Sequence, residues 1–159
     1  MANAQDILDF WFEGVGDAVP VEKNANPFKK WFARNEKFDQ QIRGRFEADL
    51  MKARRGDYKD WEAGPGGRLA LILLFDQFSR NMYRGTPQMY AADAPALDLT
   101  LRSIKEKIDQ RLALIERVFF YLPLEHAENL KMQQLCLQYF EDLVRESREK
   151  YPHNTAYYQ

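Results

Sequence analysis

Apolar side chains recur at helical spacing in this sequence, and the segment between Asn35 and Gly56 shows the pattern most clearly. Its apolar positions advance in steps of four and three: Phe38, Ile42, Phe46, Leu50 and Ala53. Such steps place the side chains on one face of an α-helix. Asn35 is a suitable N-cap, and Gly56 is typical of a helix C-terminus. The sequence therefore predicts an amphipathic helix between these two residues.

A second apolar segment runs from Leu69 to Phe75 without a polar residue. Leu and Ala predominate over Val and Ile, and the pattern continues at helical spacing to Phe78, so we predict a helix rather than a buried strand. Residues 64–67 are rich in glycine and proline and interrupt the chain before this segment. We therefore expect the new helix to begin at Arg68.

The remaining segments also favour helices. A short helix is expected after Asn3, a long loop between Gly14 and Pro27, and a long final helix from about Ala127 to Lys150. The final helix carries an apolar stripe that we predict to be core: Met132, Leu135, Cys136, Tyr139, Phe140 and Leu143. No segment alternates as a strand would. The sequence thus predicts an all-α fold of six or seven helices, packed as antiparallel neighbours without regular repeats.

Length and composition limit the classes of function. The 159 residues suit a single domain, and 23 Lys and Arg against 24 Asp and Glu leave no positive field to hold nucleic acid. With one cysteine, Cys136, there is no paired-cysteine motif, and we expect neither a metal nor a cofactor. The N-terminus lacks a signal pattern, and every apolar run is far shorter than the ~20 residues of a membrane span. We expect a cytoplasmic protein without membrane or nucleic-acid partners, and its oligomeric state stays open.

Five polar side chains follow the second apolar segment: Asp76, Gln77, Arg80, Asn81 and Arg84. On a helix they fall within an arc of roughly 140° and form one polar stripe. We expect this stripe to lie at the edge of the core, beside the corner made by Pro123. Burying such groups is costly unless they pair with each other or with a ligand. One interpretation is a structural network in which Asp76 pairs with Arg80. The other is a pocket in which Arg80 and Arg84 bind an anionic or polar ligand, oriented by the neighbouring amides.

His126 follows the Pro123 corner and is flanked by Glu125 and Glu128. This spacing allows a carboxylate to orient the imidazole, which is the arrangement of a general base. A histidine just before a long helix is also typical of an N-cap or a surface position. His126 is therefore a candidate catalytic residue, and His153, near the chain end, is a weaker one.

Motifs along nearly the whole chain resemble those of a known family. They are Asp9-Phe10-Trp11-Phe12, Trp31-Phe32, Phe38-Asp39, Gly67 through Leu74, Asp76-Gln77-Phe78, Arg80-Asn81, Tyr83-Arg84-Gly85-Thr86, Glu116-Arg117, Tyr121-Leu122-Pro123, and His126 with Glu128. With them the chain resembles a bacterial family of uncharacterised proteins, domain of unknown function 924. The resemblance implies an all-helical fold grouped with tetratricopeptide-like folds, and it implies no reaction. Members usually continue with a further helix and a segment rich in histidine and arginine, so residues 1–159 are expected to form one helical domain that lacks or alters that segment.

Two functions are compatible with these features. The first is a small-molecule-binding protein or an enzyme, with His126 as the catalytic group. Its candidate ligand-binding residues are Asp76, Gln77, Arg80, Asn81, Arg84, Glu125 and Glu128. The second is a helical adaptor whose groove binds a peptide or a protein partner. The two differ in whether the polar stripe faces a pocket shared with His126 or is taken up by internal pairs.

Overall fold

The computed structural model describes residues 2–17 and 30–159, except the side chains of residues 156 and 157, and the fold is all-α as predicted. Its helices are α1 (Ala4–Phe12), α2 (Glu36–Arg54), α3 (Pro65–Leu73), α4 (Ser79–Met82), α5 (Asp93–Lys105), α6 (Leu114–His126), α7 (Leu130–Lys150) and α8 (Thr155–Tyr158). A π-helical turn, Leu74–Phe78, joins α3 to α4. No strand occurs in the two described ranges. The long loop predicted from Gly14 to Pro27 lies largely outside them.

The predicted helix ends are mostly confirmed, and their chemistry is local. Asn3 caps α1 through a reciprocal pair of hydrogen bonds with Asp6, and the Asn35 side chain accepts a hydrogen bond from the third residue of α2. Gly56 follows α2 with a φ of 86°, a conformation that glycine adopts without strain. Three boundaries differ: α3 begins at Pro65 rather than Arg68, α7 begins at Leu130 rather than about Ala127, and the corner expected at Pro123 lies inside α6. Proline suits the first helical position of α3 because an amide hydrogen there would have no acceptor within the helix, and proline has none to leave unpaired.

Helix α3 lies at the centre of the core. It contacts α1, α5 and α6, and four of its side chains are wholly inaccessible to solvent: Leu69, Ala70, Ile72 and Leu73. The π turn contacts α2, α5 and α6, and α4 packs against α2. The polar residues that follow Phe75 are consequently placed where these three helices approach each other.

Helix α7 is less buried than its apolar stripe predicts. Of the predicted stripe, Cys136 and Leu143 are buried, whereas Phe140 is only partly buried and the neighbouring Leu137 is 62% exposed. The main contacts of α7 are with α6 and the short C-terminal helix α8. The prediction that the whole stripe is core was therefore wrong, because α7 is an outer helix covered on one side. Across the described ranges, no helix has the length and apolar character to cross a membrane.

Gly67 lies in the central helix where the backbone of Trp61 passes close to it. A Cβ atom at this position would lie 1.9 Å from the carbonyl oxygen of Trp61. We expect Gly67→Ala to lower the free energy of unfolding by about 1–3 kcal/mol, because backbone would have to move. Gly66→Ala is the matched control, since its Cβ would meet only the Leu8 side chain at an ordinary 3.5 Å. Urea unfolding measures both, and equal stabilities would contradict this close approach.

Candidate functional site: a buried Asp76–His126 pair beside a small pocket

The π turn Leu74–Phe78 places Asp76 at the junction of three helices. In this wider turn the hydroxyl of Ser79 donates a hydrogen bond to the carbonyl oxygen of Leu74 at 3.0 Å. Asp76 lies in the middle of the turn and is only 1% exposed. Single π turns are rare and occur frequently at functional sites. A buried carboxylate in such a turn is therefore the natural centre of a candidate site.

The Asp76 carboxylate receives three side-chain hydrogen bonds. His126 Nδ1 and Arg80 Nη1 each lie 2.7 Å from Oδ1, and Gln77 Nε2 lies 3.2 Å from Oδ2. An ionised carboxylate only accepts hydrogen bonds, so Nδ1 of His126 carries the proton of this contact. In the neutral imidazole, Nε2 then keeps its lone pair. Asp76 thus fixes both the tautomer and the ring orientation of His126.

Arg80 joins Asp76 to a second carboxylate. Its Nη1 and Nη2 atoms donate to the two oxygens of Asp93 at 2.8 and 3.1 Å, and its guanidinium lies 5.6 Å from the ring centre of Tyr90. Burial alone would lower the pKa of Arg80, but the hydrogen bond to Asp93 and the charges of both aspartates raise it overall. Arg80 is therefore a permanent cation whose charge is balanced inside the protein.

A pocket of about 220 Å³ opens beside this network. Asp76, Asp93 and His126 contribute its polar side. Its remaining lining consists of Ala94, Leu97, Pro123, Ala127, Glu128 and Asn129. Helix α6 continues three residues beyond Pro123 and ends at His126, whose side chain is 25% exposed. The imidazole is thus held on one edge by Asp76 and lines a small, largely apolar space.

The other half of the predicted stripe faces a different partner. Asn81 Nδ2 donates to Asp39 Oδ1 at 2.7 Å, and Arg84 grips the same carboxylate with Nε at 2.8 Å and Nη2 at 3.3 Å. The hydrogen bond to Asp39 is the main reason why the pKa of Arg84 is raised. Asp39 and Arg84 line a second pocket of about 290 Å³, which Arg34 also borders. The stripe divides because an arc of roughly 140° is wide enough for its edges to face different helices.

The two glutamates beside His126 also separate. Glu128 is exposed and lines the His126 pocket, whereas Glu125 lies with Cys136 at an open depression along α7. Burial raises the pKa of the Cys136 thiol to about 11, so it stays protonated near neutral pH. His153 is exposed, and its ring lies near that of Tyr151. Glu128 is accordingly the flanking carboxylate that shares a pocket with His126.

Two aspartates of the site were missed by the sequence analysis, Asp39 and Asp93. Asp93 is the first residue of α5, where an acidic side chain favours the helix dipole, and Asp39 lies in the first turn of α2. Acidic residues are common in the first turn of a helix, so nothing in the sequence indicated that these two aspartates are partners of the arginines. Among the residues with described positions, no group of three His, Cys, Asp or Glu side chains is arranged to hold a metal ion.

Fold and site together define an all-helical protein with a carboxylate-oriented histidine at a small pocket. The chain belongs to the family described as bacterial protein of unknown function (DUF924), whose sequence profile matches residues 7–159, and the resemblance is thereby confirmed. A solved structure of a protein of unknown function from Agrobacterium tumefaciens, ATU0120, is 36% identical with a TM-score of 0.71, over 96% of this chain and 88% of that one. Among curated proteins, none matches this sequence.

Proposed function

We propose that this protein binds a small molecule in the His126 pocket and that His126 is its acid/base group, which would make the protein an enzyme. The observation that supports this most is the 2.7 Å contact between His126 Nδ1 and the 1%-exposed Asp76 carboxylate. A histidine oriented by a buried carboxylate is the arrangement used to remove and return protons in catalysis. A histidine that served only for packing would not need a buried anion and a pocket on its two sides.

The geometry favours proton transfer to and from the ligand. Nε2 of His126 accepts a proton from a protic group of the ligand or from a water molecule, and the Asp76 carboxylate stabilises the imidazolium that forms. The described lining of the pocket contains no serine, threonine or cysteine that would act as a nucleophile. The activated group therefore belongs to the ligand or to water. Arg80 and Gln77 act as positioning residues, since both hydrogen-bond to Asp76.

Binding of a ligand anion by Arg80 and Arg84, one of the two interpretations of the sequence, fits this site poorly. Arg80 already holds Asp76 and Asp93, and Arg84 holds Asp39 through two nitrogens. A ligand anion would compete with carboxylates that the fold itself supplies at optimal distance. The arginines are thus better suited to fixing the site than to gripping a ligand.

A screen of small metabolites, followed by the NMR signals of the His126 imidazole, tests this function. We expect at least one compound to shift these signals. Its binding should be lost in Ala94→Leu, because Ala94 is an exposed residue of the lining and a larger side chain there takes up pocket space. Ala91→Leu is the matched control: it makes the same change at an exposed position three residues earlier, outside the lining. A screen in which no compound reaches His126, or in which the two variants behave alike, would refute the proposal.

A second candidate function, the helical adaptor, has one observation in its favour. Open depressions of about 560 and 280 Å³ share Phe140 and Glu125 in their lining, and the exposed Leu137 borders the larger one. The apolar residues in their lining suit the hydrophobic anchors of a peptide. If this function is the correct one, peptides selected from a displayed library on the wild-type protein should fail to bind Leu137→Glu and should still bind Ala94→Leu.

A further inference from the structure

Carboxylates dominate the charge around the His126 pocket. Asp76, Asp93 and Glu128 line it, and among the described residues no lysine or arginine does. The guanidinium that contacts this lining is Arg80, so with a neutral imidazole the group carries a formal balance of two negative charges. Glu128 is exposed and makes no ion pair with a described residue, and its charge is therefore the least compensated of the three.

The rest of the lining specifies the body of the ligand. Ala94, Leu97, Pro123 and Ala127 are apolar, and the Asn129 side-chain oxygen is already occupied in capping α7. A volume of about 220 Å³ is sufficient for a short aliphatic chain. Such walls stabilise an apolar body by removing it from water.

From these observations we infer that the ligand is a small aliphatic amine, bound as its ammonium ion. This inference rests on the proposed function and names its substrate class. The carboxylates of Asp93 and Glu128 stabilise the positive head group, and the apolar walls hold the alkyl chain. Nε2 of His126 exchanges a proton with this head group, and Asp76 stabilises the imidazolium that forms. The neighbouring carboxylates favour the charged amine, so the ammonium ion is the main bound form.

Three probes with the same four-carbon body test the head group: butylammonium, butanol and butyrate. Each is titrated at low ionic strength and mildly alkaline pH, and the His126 imidazole signals report binding. Butylammonium should bind most tightly and butyrate least. Added salt should weaken the binding of butylammonium and leave the binding of butanol nearly unchanged, because salt screens exposed charges.

Glu128→Gln should weaken butylammonium binding by about two- to fivefold, the usual effect of one exposed charge pair, and should not alter butanol binding. Glu125→Gln is the matched control, because Glu125 is also exposed and lies three residues earlier but lines a different depression. Tighter binding of butyrate, or equal effects of the two variants, would overturn the amine inference while the proposed function stands. No response of His126 to any of the three probes would overturn the inference, and the metabolite screen then decides the proposed function independently.

Discussion

Phe46→Ala is expected to lower the free energy of unfolding by about 3–5 kcal/mol, the range found for large cavities in packed cores. Phe46 is wholly inaccessible to solvent, and its ring centre lies 5.1 Å from those of both Phe10 and Phe78. These rings come from α1, α2 and the π turn, so three elements would lose contacts at once. Chemical denaturation followed by circular dichroism measures the loss.

The matched control is Phe140→Ala, the same change on the outer helix α7. Phe140 is only partly buried and borders the two open depressions, so water fills part of the space that its ring vacates. We expect a loss of about 1–2 kcal/mol, within the ordinary range for point substitutions. Equal losses at the two positions would mean that α7 is as much a part of the core as α2 is.

Arg80→Met should likewise destabilise the protein by about 3–5 kcal/mol, because breaking a buried ion pair leaves the partner charge uncompensated. Arg80 is 16% exposed and Asp76 only 1%, so solvent screens this pair poorly. Methionine keeps most of the side-chain length, and the loss therefore reports the charge rather than packing. Thermal and urea unfolding of the free protein measure it.

Arg84→Met serves as the control for this substitution. Arg84 is 34% exposed, and Asn81 still donates to Asp39 when Arg84 is replaced. We expect a loss of no more than about 1 kcal/mol, the value typical of exposed ion pairs. If Arg80→Met proves as mild as Arg84→Met, Asp76 does not depend on Arg80, and Arg80 becomes available to contact a ligand.

These two arginines show how far the sequence predicts the site. The Asp76–Arg80 pair belonged to one of the two interpretations of the sequence, because residues four apart lie on the same side of a helix, and the structure has it at 2.7 Å. The second partner of Arg80, Asp93, is 13 residues away, and the partner of Arg84, Asp39, is 45 residues away. Helical periodicity states which face a side chain occupies, but not which neighbouring helix presents an acid to that face.

The features that the sequence determined by itself are local ones. The caps at Asn3 and Asn35, the stop at Gly56 and the apolar face of α2 follow from contacts within a few residues, and all are present. The pairing of Asp76 with His126 spans 50 residues and was decided only by the tertiary structure. It depends on the π turn that presents Asp76 and on the continuation of α6 past Pro123, and both are fixed by packing against other helices. Local hydrogen bonding and periodicity can be read along the chain, whereas the choice of a distant partner depends on the arrangement of the whole core.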